Sequence, residues 1–156
     1  MTSFITPLFI SAHVVCKTQE GPRYLLLKRC GKYLTGTWQM VTGGVLEGEN
    51  AMQAARREIQ EETGLTPDKL YSADAVETFY MPTINKIAFV PVFVAFVEKM
   101  HVRLSPDEHD AFEWLSFEEA KKRLVWSEQQ RCIIVVHERF VLSRPNDLLL
   151  SILEFG

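Results

Sequence analysis

Residues Gly43 to Leu65 read GGVLEGENAMQAARREIQEETGL, and this stretch decides the reading of the chain. Glycines at 43, 44 and 48 open it. Ala51, Met52, Ala54, Ala55 and Arg56 are mostly good helix formers. Asn50 offers an N-cap side chain, and Gln53, three residues on, is its capping-box partner. Gly64 is a natural C′ residue, and Pro67 bars continuation. The stretch therefore predicts a glycine loop feeding a helix from near residue 51 to near residue 63.

Projected at roughly 100° per residue, the helix has three sides. Met52, Ala55 and Ile59 make a small apolar face for packing. Gln53, Arg56 and Gln60 face water. Arg57, Glu61, Ala54, Glu58, Ala51 and Glu62 share the remaining side, where small alanines between carboxylates leave room for close approach. Glu58 and Glu62 form an i,i+4 pair of like charge, which costs a bare helix a few tenths of a kcal/mol. Arg57 lies four residues before Glu61 and can orient it, but one arginine cannot neutralise three carboxylates. A hard divalent cation can, since Mg²⁺ takes oxygen ligands from carboxylates and substrate phosphates. Gly43, Gly44 and Gly48 allow the loop backbone to come close to a metal or a phosphate.

Taken alone, REIQEE reads as a solvated acidic helix. The longer pattern is more demanding. Gly43, Glu49, Arg57, Glu58, Glu61, Glu62 and Gly64 stand at fixed spacings. At average residue usage that set coincides at a rate near ~10⁻⁹ per start position. The stretch matches the signature of the Nudix hydrolases, and the chain resembles that family. The resemblance implies an α/β/α sandwich around a central mixed sheet, with the signature as loop-helix-loop. It also implies hydrolysis of a pyrophosphate bond with Mg²⁺, or Mn²⁺ as the alternative. It makes Glu58 and Glu62 the principal metal ligands, with Glu61 alongside and the Gly43 carbonyl completing the sphere. Arg57 then orients the carboxylates, Glu49 supports the loop, and Gly44 lies against the substrate.

The remainder of the chain fits one α/β domain over residues 1–156. Hydrophobic residues make up 47% and charged residues 24%, as in an ordinary soluble protein. A net charge of −3 argues against broad, charge-driven nucleic-acid binding and leaves an anionic substrate in need of bound metal. Cys16, Cys30 and Cys132 show no CxxC spacing, which fits a reducing cytoplasm better than a disulfide framework or a zinc site. The apolar N-terminus lacks a basic n-region and is too short to span a bilayer.

Leu8 to Cys16 reads as a buried strand, with His13 as a core histidine. Arg23 to Arg29 is a second strand, ending in Lys28 and Arg29, two cations placed either to meet phosphate or to stay solvated. Trp38 reads as closing the core beside the loop, with stacking on a base as the second reading. Tyr71 to Met81 and Lys86 to Glu98 are two long strands. The second is dense enough to be covered on both faces, and Pro91 marks a bulge or an edge in it. Phe79 and Tyr80 either reach a ligand or join the core. Val102 to Leu104 and Ala111 to Leu115 read as short strands around an acidic loop, SPDEHD. Ser116 and Glu119 cap a helix through Leu124, and Ser127 to about Leu142 is the last helix. An apolar tail, Leu148 to Leu153, is available to dock on the domain or on a partner in a homodimer.

LLLKR, WQMVTGG, EHDAFEWL and LVWSEQQR resemble the Nudix branch of dihydroneopterin triphosphate and dATP pyrophosphohydrolases. That resemblance implies a nucleoside or pterin triphosphate substrate, cleaved to pyrophosphate and a monophosphate. It also assigns Glu108, beside His109, a part in the metal site or as the base. Two alternatives stand beside it. One is a Nudix hydrolase of a dinucleoside polyphosphate or nucleotide sugar. The other is a silent domain that binds a nucleotide or protein, which the intact Arg57, Glu58, Glu61 and Glu62 disfavour.

Overall fold

The computed structural model describes residues 3–149. Ten elements carry the fold: β1 (Phe9–Thr18), β2 (Gly21–Arg29), β3 (Trp38–Gln39), β4 (Val41–Gly44), α1 (Ala51–Thr63), β5 (Lys69–Met81), β6 (Lys86–Phe96), β7 (His109–Leu115), α2 (Phe117–Arg123) and α3 (Ser127–Val136). The sheet runs β3-β2-β1-β6-β5, with β4 added to β1 and β7 to β2. β1 and β6 are parallel and the other pairs antiparallel, so the sheet is mixed.

β1 is buried from Ile10 to Cys16 because it is central and covered on both faces. Its side chains alternate between two cores. Ile10, Ala12 and Val14 pack with Ala54, Ala55 and Ile59 of α1. Val15 packs on the opposite face with Ala120 of α2 and Cys132, Ile133 and Val136 of α3. That is the expected α/β/α sandwich. Among the described residues, no helix is long and apolar enough to cross a membrane.

Both ends of α1 form as the sequence predicts. The Gln53 N–H donates to Asn50 Oδ1 at 2.9 Å, and the Asn50 N–H to Gln53 Oε1 at 2.8 Å. Gly64 closes the helix at φ 71°, a left-handed conformation that suits glycine. The packing face differs from the projection. Ala54 is fully buried in the core, whereas Met52 sits half-buried at its margin. The helix is rotated so that Glu62, at 4% exposure, is carried inward with Thr63.

Val102 to Leu104 is not a strand. Val102 and Leu104 pack into the core beneath α1, while the Arg103 N–H donates to the Thr63 carbonyl at the helix end. The alternation is therefore used for packing, and the backbone satisfies an orphan helix carbonyl instead of a ladder. Pro91 lies in an internal strand, not at an edge. β5 shifts register across from it, between Ser72 and Val76, which is the bulge alternative. β6 is covered on both faces only in its second half; Ile87 and Phe89 near its start are exposed. Ser116 caps α2 by accepting the Glu119 N–H. α3 ends at Val136 and continues as a π-helical turn, His137–Val141. Within the apolar tail, Leu148 is exposed and Leu149 packs against the core under α3; the rest of the segment lies outside the described residues.

Candidate active site

Arg57 is the hub of the α1 carboxylates. Its Nη2 donates to Glu49 Oε1 at 2.7 Å and to the Gly44 carbonyl at 2.8 Å. Its Nε donates to both Glu49 oxygens. Nη1 donates to Glu58 Oε1 at 2.8 Å and to Glu61 Oε2 at 3.1 Å. The guanidinium fork is thus pinned on one side by the loop and presents its other side to Glu58 and Glu61. Glu49 in turn accepts the Leu46 N–H at 2.9 Å, so the loop is held in one shape. These hydrogen bonds, Arg57 first, hold the Glu49 carboxyl below the usual carboxylate range. Glu49 first, and then Glu58, push the Arg57 guanidinium further up.

Glu58 lies against Gly43. A Cβ built on Gly43 would overlap the Glu58 carboxyl, so glycine is required there by close approach rather than by backbone angle. Burial raises the Glu58 pKa, opposed by Arg57 and reinforced by Glu61 and Glu108. Glu62 is further perturbed. Burial first, then Glu108 and Glu58, lift its carboxyl to about 10, and its Oε2 has no hydrogen-bond partner.

Glu108 reaches this cluster from the loop before β7. Its carbonyl accepts the Cys30 N–H at 3.0 Å, which ties the acidic loop to the end of β2. His109 follows as the first residue of β7, opposite Arg29 at a register shift. His109 is buried, and neither ring nitrogen has a partner. Burial, chiefly, lowers its pKa. Ligand atoms of Glu62, Glu108 and His109 lie within 4.8 Å of one another. Converging carboxylate oxygens, an unpartnered buried oxygen and a glycine seat for Glu58 fit a divalent cation. His109 was not singled out from sequence; the signal was its place directly after Glu108.

The structure brings together Gly43, Gly44, Glu49, Arg57, Glu58, Glu61, Glu62 and Glu108. Arg29 lies across from His109, where its Nε donates to the Tyr33 carbonyl at 3.0 Å. Trp38 stands on the other face of the sheet, packed against the core under α3, with the Arg123 guanidinium 4.8 Å from its ring. Tyr80 is exposed near the β5–β6 turn and donates to Asn85 Oδ1 at 2.8 Å. Neither aromatic is bonded to the carboxylate cluster in the described contacts.

The NUDIX domain family model matches residues 7–134. The rat asymmetrical bis(5′-nucleosyl)-tetraphosphatase is 32% identical over 112 residues, covering 69% of this chain and 74% of that protein. The Escherichia coli dihydroneopterin triphosphate diphosphatase is 47% identical over 53 residues, 34% of each. The solved Caenorhabditis elegans Ap4A hydrolase complex superposes with a TM-score of 0.70 at 26% identity, covering 83% of this chain and 94% of that one. The chain spans about a third or less of the length of several other curated relatives. With the family model over most of its length and the Arg57-centred carboxylates in place, the chain belongs to the Nudix hydrolase family.

Proposed function

We propose that this chain hydrolyses a pyrophosphate bond in a nucleoside or pterin triphosphate, releasing pyrophosphate and leaving a monophosphate. The observation that carries this reading is the convergence of Glu58, Glu62 and Glu108 beside an Arg57 fixed by the loop. The segment match to the dihydroneopterin enzyme supports the triphosphate class. Glu58 and Glu62, with Glu61 near, would hold Mg²⁺ or Mn²⁺, which when bound would supply charge neutralisation for the phosphates and acidify a water.

The chain's own residues have distinct roles. Arg57 holds Glu58 and Glu61 in one orientation and spares the substrate the cost of ordering them. Glu49 and the Gly44 carbonyl hold Arg57. Gly43 leaves Glu58 its place. Glu108, exposed and on a different element from the helix carboxylates, accepts the proton from the attacking water. Arg29, opposite His109 at the end of β2, is a strand cation available to a phosphate. We infer a cytoplasmic, metal-dependent enzyme acting on a small molecule.

The rat relative favours a second reading, a dinucleoside polyphosphate substrate, because it matches over most of both chains. A release assay separates the two. The protein is supplied with Mg²⁺ and a panel of nucleoside triphosphates, dihydroneopterin triphosphate and diadenosine tetraphosphate. Pyrophosphate and a monophosphate from a triphosphate support the first reading. Turnover confined to the dinucleotide supports the second. Full turnover in chelator refutes the metal-dependent mechanism in both.

A further inference from the structure

The last turn of α1 and the entry to β7 meet at a corner that holds more than carboxylates. Glu62 sits one residue from the end of α1, and Glu108 directly precedes His109, the first residue of β7. Glu62 and His109 are 4% and 2% exposed. Glu62 Oε2 and both His109 ring nitrogens have no hydrogen-bond partner. Buried polar atoms are almost always paired, so these orphans call for a partner from outside the chain. An ionised carboxylate and a neutral imidazole both offer lone pairs, and a cation meets both.

The spacing suits one ion. Ligand atoms of Glu62, Glu108 and His109 lie within 4.8 Å of one another. Around a tetrahedral Zn²⁺ with bonds of about 2.1 Å, ligand atoms stand roughly 3.4 Å apart. Small side-chain rotations close that difference. The surroundings are acidic. Glu58 and Glu108 both border Glu62, and Glu108 and Asp110 border His109. Arg29 faces the imidazole as the opposing cation, and one guanidinium does not balance these carboxylates. Glu108 is exposed, so the corner opens to solvent through it.

An imidazole nitrogen changes which ion fits. Mg²⁺ prefers oxygen and keeps its waters, whereas Zn²⁺ and Co²⁺ take imidazole and carboxylate together. Two carboxylates and one imidazole, with water in the fourth place, complete a tetrahedral sphere.

We propose that Glu62, Glu108 and His109 form a mixed nitrogen and oxygen site for a first-row divalent ion such as Zn²⁺ or Co²⁺. It stands beside the all-oxygen position of Glu58 and Glu62, and Glu62 has one oxygen for each. An ion there takes the Glu108 carboxylate that the hydrolase reading gives to the attacking water. Zn²⁺ added over Mg²⁺ should therefore inhibit. That effect on turnover rests on the reading above, and the binding itself does not.

Metal binding tests the site without any turnover. Zn²⁺ and Co²⁺ are titrated calorimetrically into the unaltered chain held in saturating Mg²⁺. Each should bind at least about 10-fold more tightly than Mg²⁺, and bound Co²⁺ should show the strong visible absorption of a tetrahedral ion. His109→Gln should weaken Zn²⁺ at least about 10-fold while Mg²⁺ affinity and melting temperature hold. Unaltered Zn²⁺ affinity in that variant overturns the proposal, as does Zn²⁺ binding no tighter than Mg²⁺. If the variant does not fold, ring-nitrogen NMR of the unaltered protein decides. Zn²⁺ should shift one of the four histidines. His101→Gln, which removes an exposed ring, should keep that shift. No shifted ring, or a shift lost with His101, overturns the proposal. In the release assay, Zn²⁺ at its binding midpoint should halve the Mg²⁺-supported rate, and undiminished turnover at full occupancy overturns the capture of Glu108. Zn²⁺ affinity that depends on His109, in a protein with no Mg²⁺ turnover, supports the site and refutes the hydrolase reading.

Discussion

Glu62→Gln should stabilise the protein in the absence of metal. Glu62 is 4% exposed, and its carboxyl is lifted from 4.5 to about 10 by burial and by Glu108 and Glu58. The folded value lies above the unfolded one, so the folded state holds this proton more tightly. The stability linked to it is complete below about pH 4.5 and drains away as pH rises toward 10. Each pH unit in that window costs roughly 1.4 kcal/mol, so by pH 7 the loss is about 3 kcal/mol. Glutamine keeps the shape and cannot ionise, so it escapes the loss. The assay is urea unfolding in chelator across the pH range. Glu62→Gln should be within error of the unaltered protein near pH 4, and about 2–3 kcal/mol more stable at pH 7, with the gap widening at higher pH. Added Mg²⁺ should reverse the order by stabilising only the protein that retains Glu62. Parallel pH profiles for the two proteins in chelator would refute the reasoning, because Glu62 would then be no more buried than a surface carboxylate.

Three other substitutions probe different parts of the site. Gly43→Ala places a methyl group where the Glu58 carboxyl lies, and a side chain can give way where a backbone cannot. Metal affinity by calorimetry should fall about 10- to 100-fold with little change in melting temperature, and unaltered affinity would show that Glu58 is not seated there. Glu108→Gln should lower kcat by about 10²-fold or more at constant melting temperature, with a small change in KM; activity within a few-fold would make Glu108 a surface residue. Arg57→Lys keeps the charge but replaces the fork spanning Glu49, Gly44, Glu58 and Glu61 with a point donor, so kcat should fall by at least about 10-fold. Full activity of that variant would show that charge alone suffices.

The helix that carries the site was legible in the sequence because its determinants are local. Asn50, Gln53 and Gly64 set its ends through bonds a few residues long, and the structure reproduces them. The glycine and carboxylate spacings identified the family for the same reason, since one loop and one helix carry most of the pattern. Long-range packing decided the rest. Glu61 and Glu62 are neighbours in sequence, yet Glu61 stays in water while the rotation of α1 on the sheet buries Glu62 and orphans one of its oxygens. Val102 and Leu104 alternate like a strand, but the end of α1 takes the Arg103 N–H. Trp38, four residues before the glycines' neighbour Thr42, went to the face opposite the carboxylates because β3 pairs with β2 beside α2. His109 was legible in the sequence only through its place directly after Glu108. Glu62, Glu108 and His109 come from a helix, a loop and the start of β7, and only the packing of α1 and β7 on the sheet brings their ligand atoms within 4.8 Å of one another.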